Sequence, residues 1–529
     1  MPDQKTLSLR RRPGLVVSVA LGLLALLLTS CGSSANTSGD GEIDRSATLR
    51  LTYTGVQTLD PATTPGSTAV LSNTWPVYDR LLQISEGGEY LPMLATKWTF
   101  SKDGLTLRLD LRDGVTFSDG TPFTADTVKA NIARYRGEDV SKGATAIIKD
   151  VEVVDEHAVD LHLASPSRAV LGSLAAAAPG IMISEKALDN PDLGTNPVGS
   201  GAWVIDSFRP AERVTYKLRS DKDGIWDKET GKVAKVEIAV RTTSTAFAAI
   251  RSGQVDVVLS GGDVSELKSG IDQGTLKIRP LKNASTTAAL HLNQTVKPFD
   301  DVRVRQAVNY AINRKPLVDA LVPTTTARVQ PMASVVNGFD ESLEATYPYD
   351  PDRARELLKE AGYEDGVDAG TFYVANYEPF PDAAQVVQAD LASVGIKVEL
   401  ELYDIRQLSS GTYGDSDRSG AFMFMSYPSL EPGVALTQFL ENPLVFPGGV
   451  PAEVGKQIGA VDDSTATQEE RAERAGAVVK WATDQALYAP MWQGVPGWVM
   501  TNKVHGVEDG KAFLAPLGGQ DFRYAWISK

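Results

Sequence analysis

Leu105, Leu107, Leu109 and Leu111 alternate with Thr106, Arg108 and Asp110, a period of two that predicts a strand with one buried face. Asp113-Gly114 supplies the turn that follows, Val115 and Phe117 resume the apolar positions, and Ser118-Asp-Gly-Thr-Pro122 turns the chain again. Thr124 is placed to cap a helix running to about Tyr135. Val151 and Val153, then Val159, Leu161 and Leu163, flank Asp155-Glu156 and predict a further hairpin. Residues 75–187 thus read as strands with occasional helices.

After about residue 240 the rhythm changes, and helical stretches end in glycine and lead directly into strands. A helix over 245–252 stops at Gly253 before the apolar run 255–259, and one over 382–394 stops at Gly395 before the alternating segment 396–402. Asp350-Pro351 opens another helix, closed by Gly362. Val304, Ala307, Val308, Ala311 and Ile312 form an apolar stripe at helical spacing. This alternation is that of α/β lobes whose sheets are covered by helices.

The N-terminus carries a different pattern. Lys5, Arg10, Arg11 and Arg12 precede an apolar run over 15–28, and Thr29-Ser30-Cys31 follows with the only cysteine in 529 residues. Basic, then apolar, then small residues make a bacterial signal peptide, and the run is shorter than the ~20 residues that span hydrocarbon. The stretch is similar to a lipoprotein lipobox, which implies cleavage before Cys31 and acylation of its sulfur. At about 0.8 kcal/mol per buried CH₂, two or three acyl chains hold a protein at a membrane face. Residues 1–30 are therefore expected to be removed and 31–46 to form a flexible, lipid-anchored tether, small and polar from Gly32 to Gly41. Arg10-Arg-Arg12 suits a twin-arginine export route only weakly.

Charge excludes nucleic acid as a partner. The net charge is −15, the first 30 residues are basic, and no Lys/Arg cluster follows Arg12. An exported enzyme is the main competing class. His157 and His162 sit on the expected hairpin and read as exposed residues rather than metal ligands, while His291 and His505 are isolated. No Gly-x-Ser-x-Gly elbow occurs, and Ser265-Glu-Leu-Lys268 lacks the motifs that accompany a Ser-x-x-Lys nucleophile, so it reads as helix surface. There is no phosphate-binding Gly-x-x-x-x-Gly-Lys loop. Nothing singles out a carboxylate pair for glycoside hydrolysis among 67 acids. A structural lipoprotein, the third class, more often carries repeats or long polar tracts. The expectation is a protein that is not an enzyme and needs no cofactor.

Several segments together resemble extracellular solute-binding protein family 5, the peptide- and nickel-type receptors of ABC importers. They are Leu94-Ala-Thr-Lys-Trp98, Ser101-Lys-Asp-Gly-Leu105, Leu111-Arg-Asp-Gly-Val115, and the block from Phe117 to Asp126. Further on come Asn196-Pro-Val-Gly-Ser-Gly-Ala-Trp203, Ala248-Ala-Ile-Arg-Ser-Gly-Gln-Val-Asp256 and Leu292-Asn293. The stretch from Pro298 to Ala307 and that from Tyr349 to Gly362 complete the series. The first block has the physical reading of strand, turns and capped helix, so Asp119 and Asp126 are structural.

The resemblance implies an α/β, two-lobed periplasmic-binding-protein-like fold of type II, cluster C. Lobe one covers 47–74, 188–289 and 490–529, with an extra α+β domain at 75–187 inserted, and lobe two covers 290–489. The chain is expected to cross to lobe two near Leu290 and back near Pro490. Implied partners are a peptide or small solute, an ABC permease with its ATPase subunits, and the membrane through the lipid; the protein is expected as a monomer.

The resemblance also locates the cleft segments. Tyr53 and Gln57 follow the first strand, Asn293 ends another, Tyr403 follows the strand over 396–402, and Trp492 lies in the return crossing. Peptide-type members usually carry a tryptophan and an aspartate, the latter pairing with the peptide ammonium, in the segment matching Phe422 to Pro432. Aligned on Glu431-Pro432, those places hold Met425 and Pro428. An ammonium buried without a partner costs several kcal/mol, so a free-amine peptide needs another acid. Glu431 is the nearest, at a position the family usually leaves on the surface. A lining of Met425, Ser426 and Tyr427 suits a capped or modified peptide, a sugar, or a metal complex wrapped in organic groups.

Overall fold

The computed structural model describes residues 41–53, 55–64, 67–85, 89–139, 141–260, 264–281, 286–376, 378–403, 418–426, 431–441, 446–507, 513–515 and 519–529. The apolar run at 15–28, Cys31, Tyr427 and Pro428 lie outside them. The chain from Gly41 onward forms one unit. Its first residues are not tether: Ile43 bridges Ser528, Asp44 N–H donates to the Ile527 carbonyl, and Lys529 pairs with Glu42 at 2.7 Å. The polar composition of 41–46 hides this, because the backbone hydrogen bonds are made to the other end of the chain.

Two large sheets carry the molecule. The first has seven strands in the order Leu276–Leu281, Val495–Thr501, Val257–Ser260, Thr48–Thr52, Lys235–Ala239, Arg213–Leu218, Trp203–Arg209. At its centre Thr48–Thr52 runs parallel to both neighbours, and the outer pairings are antiparallel. The second has six strands in the order Thr326–Ala327, Tyr488–Gln493, Thr286–Leu292, Gly420–Ser426, Val367–Ala375, Ile396–Tyr403. Here Val367–Ala375 is parallel to the strands on both sides. Helices cover the sheets as the pattern predicts. Val302–Ala311 buries Val304, Ala307, Val308 and Ala311 completely, and Asp350 caps Pro351–Glu360 by accepting the Arg353 N–H at 2.9 Å. Gly395, at φ +96°, turns the helix Phe380–Ser393 into the strand Ile396–Tyr403, a conformation that side chains with a Cβ resist.

A four-stranded antiparallel sheet (Ala95–Phe100, Thr106–Leu111, Ala158–Leu163, Ile148–Asp155) packs on the helix Ala125–Gly137 around its own core. Leu107, Leu109 and Leu111 are buried on one face of their strand, whereas Leu105 lies just before it and is exposed. Trp75, Val77 and Tyr78 pack into the core of the seven-stranded lobe instead, so the separate core begins at Leu81. Charge ties this region to the C-terminus. Arg523, 3% exposed, donates to Asp79 at 2.6 Å and Asp521 at 2.7 Å, and Arg80 lies 3.6 Å from Asp521.

The chain crosses between the sheets after Leu281 and again at Gly494, and not at Leu290 or Pro490. Both of those belong to the six-stranded sheet, where Thr286–Leu292 is buried at all seven positions. A strand covered on both faces has no alternation to mark where it changes sheet. Gly494, at φ +101°, donates its N–H to the Thr286 carbonyl at 2.8 Å, which staples the two crossings together.

Candidate functional site

In open α/β sheets ligands bind outside the carboxyl ends of parallel strands, where the connecting loops diverge. In the first sheet that edge carries Tyr53, directly after Thr48–Thr52, with Gln57 exposed on the same connection. The Tyr53 ring stacks on Trp498 at 5.9 Å and 22°. Burial raises its phenol pKa and keeps it neutral, a donor and acceptor at physiological pH. Trp498 in turn meets Phe522 edge-on at 5.1 Å, so the tyrosine rests on a fixed aromatic platform.

In the second sheet the corresponding edge carries Tyr403 and Ser426, the last residues of two strands flanking Val367–Ala375. The Tyr403 ring lies 4.3 Å from that of Tyr373, and its carbonyl accepts the Asn376 N–H at 2.7 Å. Tyr53, Tyr403 and Ser426 therefore share one topological position, the carboxyl ends of parallel strands in the two sheets. Tyr427, next in the chain, lies outside the described residues.

Three other expected residues sit elsewhere. Trp492 is fully buried and faces Phe380 at 5.8 Å in the core of the six-stranded lobe. Met425 is 1% exposed among Ala289, Leu436 and Tyr488. Asn293 is committed internally: its amide donates to the Arg418 carbonyl at 2.7 Å, and its Oδ1 accepts from the Thr295 N–H and hydroxyl. Trp492 and Met425 lie in two different cores packed against the six-stranded sheet, and Asn293 follows the end of a strand buried at every position, so spacing alone does not identify them as buried.

Glu431 is not on the surface. It is 2% exposed, and Arg168 and Arg471 donate to its two carboxylate oxygens at 2.6 and 3.2 Å. The guanidinium groups come from elements far away in sequence, so the surface position that the family resemblance implied for Glu431 does not hold here. Gln493, which sequence reasoning passed over, immediately precedes the second crossing. It is fully buried and accepts from Arg328 Nε at 2.8 Å and Ser334 N–H at 2.9 Å. A glutamine in the apolar run of Tyr488–Gln493 was the available signal.

The histidines carry no joint site. His162 pairs with Glu152 at 3.0 Å and His157 lies 3.5 Å from Asp113, both on the hairpin. His291 is buried between Phe439 and Tyr488, and burial together with Arg418 depresses its pKa to about 3, so it stays neutral. Among the described residues no three His, Cys, Asp or Glu side chains converge as a metal site. Asp119 serves its turn, accepting from Thr121 N–H and the Ser184 hydroxyl. Among the described residues no helix is long and apolar enough to cross a membrane.

Comparison with known proteins agrees with this architecture. The chain is 31% identical to the glutathione-binding protein GsiB of Salmonella paratyphi A over 376 residues, 68% of this chain and 70% of that one. The periplasmic binding protein DppA of Helicobacter pylori, solved in complex with the peptide STSA, superposes with a TM-score of 0.75 at 22% identity, over 92% of this chain and 98% of its own. NikA of Staphylococcus aureus, in complex with Ni(L-His)2, gives 0.73 at 16% identity, over 91% and 99%. Both solved structures share the fold. Residues 89–429 match the family model for the bacterial extracellular solute-binding proteins, family 5, and the chain belongs to that family, whose members bind solutes outside the cytoplasm for ABC importers.

Proposed function

We propose that this chain captures a short, modified peptide of the glutathione class between its two lobes and delivers it to an ABC permease. The ATPase subunits of that importer supply the energy, and the chain itself turns over no substrate. The observation that carries the reading is the pairing of Tyr53 and Tyr403 at the carboxyl ends of parallel strands in two sheets joined by two crossings. The similarity to glutathione-binding proteins supports the solute class. So does the chemistry of the segment after Phe422, where Met425 and Pro428 stand in place of tryptophan and aspartate. In a γ-linked peptide the α-ammonium sits beside its own α-carboxylate. The two charges cancel locally, so the demand for an acid opposite this ammonium is smaller than for an isolated N-terminal ammonium, and neutral hydrogen-bond acceptors can meet it. Glu431, already held by two arginines, is not required. We further propose that the protein is a monomer held at the outer face of the cell membrane through acylated Cys31.

Calorimetry with reduced glutathione, an unmodified tetrapeptide, a trisaccharide and a nickel–histidine complex tests the solute class. Glutathione is expected to bind unhydrolysed at least tenfold more tightly than the tetrapeptide, and Tyr53→Ala and Tyr427→Ala to weaken it. Tighter binding of the tetrapeptide, the sugar or the nickel complex overturns the assignment.

A further inference from the structure

The inserted domain meets the second lobe through charge and hydrogen bonds. Arg168, just before the helix Ala169–Ala176, donates from Nε to Glu431 at 2.6 Å and from its backbone N–H to the Asp462 carbonyl at 2.6 Å. On the lobe-two side Glu431 also accepts from Arg471 Nε, on the helix Gln468–Asp484. The Asp462 carboxylate receives the Gly433 N–H at 3.0 Å at the start of the helix Gly433–Leu440. Nearby, the Ser464 hydroxyl donates to the Gly104 carbonyl at 3.2 Å.

The apolar groups of the two sides stay apart. The core around Leu107, Phe123 and Leu171 and the core around Leu436, Ile458 and Val479 are separate clusters. Parting the two sides therefore exposes polar groups that water can satisfy and leaves each apolar core whole. The arrangement of charge also suits reversibility. When Arg168, 26% exposed in place, moves into solvent, Glu431 keeps Arg471 and is not left as a lone buried charge, the condition that makes a broken pair expensive. The covalent connections between the lobes, by contrast, are the two crossings at 281–286 and Gly494.

We propose that Arg168, Glu431 and Arg471 form a clasp that makes and breaks as the lobes close and open, and so helps set the affinity for the captured solute. Arg168 and Glu431 are positioning residues here and touch no solute. The inference rests on the reading of the protein as a two-lobed capture device.

Hydrogen exchange on the full mature chain without solute tests it, read at the Arg168 amide after correction for its intrinsic rate. Arg168→Met and Glu431→Gln are each expected to speed exchange there by roughly tenfold, the scale of one charge-assisted hydrogen bond. The double variant should add little to either. Amides of Thr286–Leu292 should keep their protection. If Glu431→Gln removes that protection, the variant has unfolded and Arg168→Met alone decides. An unchanged rate in Arg168→Met, an Arg168 amide already unprotected in the parent protein, or fully additive effects overturn the clasp. Because no solute is present, a chain that passes this test and binds no peptide loses the proposed function while the clasp stands.

Discussion

Asp462 is a carboxyl group whose ionisation the fold opposes. Burial, reinforced by the negative charge of Glu431 and offset in part by the Gly433 and Val434 amides and by Arg471, raises its pKa from 3.8 to about 7. The folded protein therefore binds a proton that the unfolded chain has released between those values. Stability is expected to be greatest near pH 4 as far as this group is concerned, to fall as pH rises to about 7, and to level off above it. Asp462→Asn keeps an acceptor for the Gly433 N–H and should flatten that slope, by about 4 kcal/mol for a three-unit shift. Urea denaturation of both proteins from pH 4.5 to 8 measures the difference, and equal slopes would show the group already ionised. Trp492 offers a second residue-level test. Its burial against Phe380 places it in the core, so Trp492→Ala should cost about 3–5 kcal/mol of stability. Lost affinity at unchanged stability would instead make it a solute contact.

At the scale of elements, the two crossings are linked by a backbone hydrogen bond from Gly494, a glycine in left-handed conformation. Gly494→Val places a β-branched side chain at φ +101°, which costs on the order of 1–3 kcal/mol. Its melting temperature is expected to fall, and a rise would mean that the crossing relaxes freely. The N-terminal segment makes a separate prediction. With the basic and apolar lead intact, Cys31→Ser should release the protein from membranes into the soluble extract, read by fractionation and blotting. Retention as firm as in the parent protein would refute the lipid anchor. The elements themselves were largely legible. The strands at 106–111, 148–155 and 158–163 and the helices at 302–311 and 351–360 follow from periodicity and capping residues, which act over a few residues. The start of the folded body at Gly41 was not, because Glu42, Ile43 and Asp44 are ordered by residues 527–529.

For the whole molecule, closure on a solute is the expected working motion. A solute moves an open–closed equilibrium only by its differential affinity for the two forms, and going from 1:99 to 99:1 takes about 5.5 kcal/mol. X-ray scattering with and without saturating glutathione should show a smaller radius of gyration and a shorter inter-lobe spacing in its presence. Identical curves at demonstrated saturation would sink the capture mechanism.

What the sequence determined by itself was local: turns, caps, strand and helix periods, and the run of motifs that marks the family. These depend on neighbours within a turn or a hairpin, so the code for them is written where they occur. The tertiary structure decided which face of a strand became core and which became site. Tyr53 emerged at a sheet edge on its Trp498 platform, while Met425, Asn293 and Trp492, equally plausible by position, turned inward. It also decided the fate of Glu431, whose partners Arg168 and Arg471 lie 263 and 40 residues away. A buried carboxylate is costly unless a cation is paired with it, and those partners are brought to Glu431 only in the folded chain.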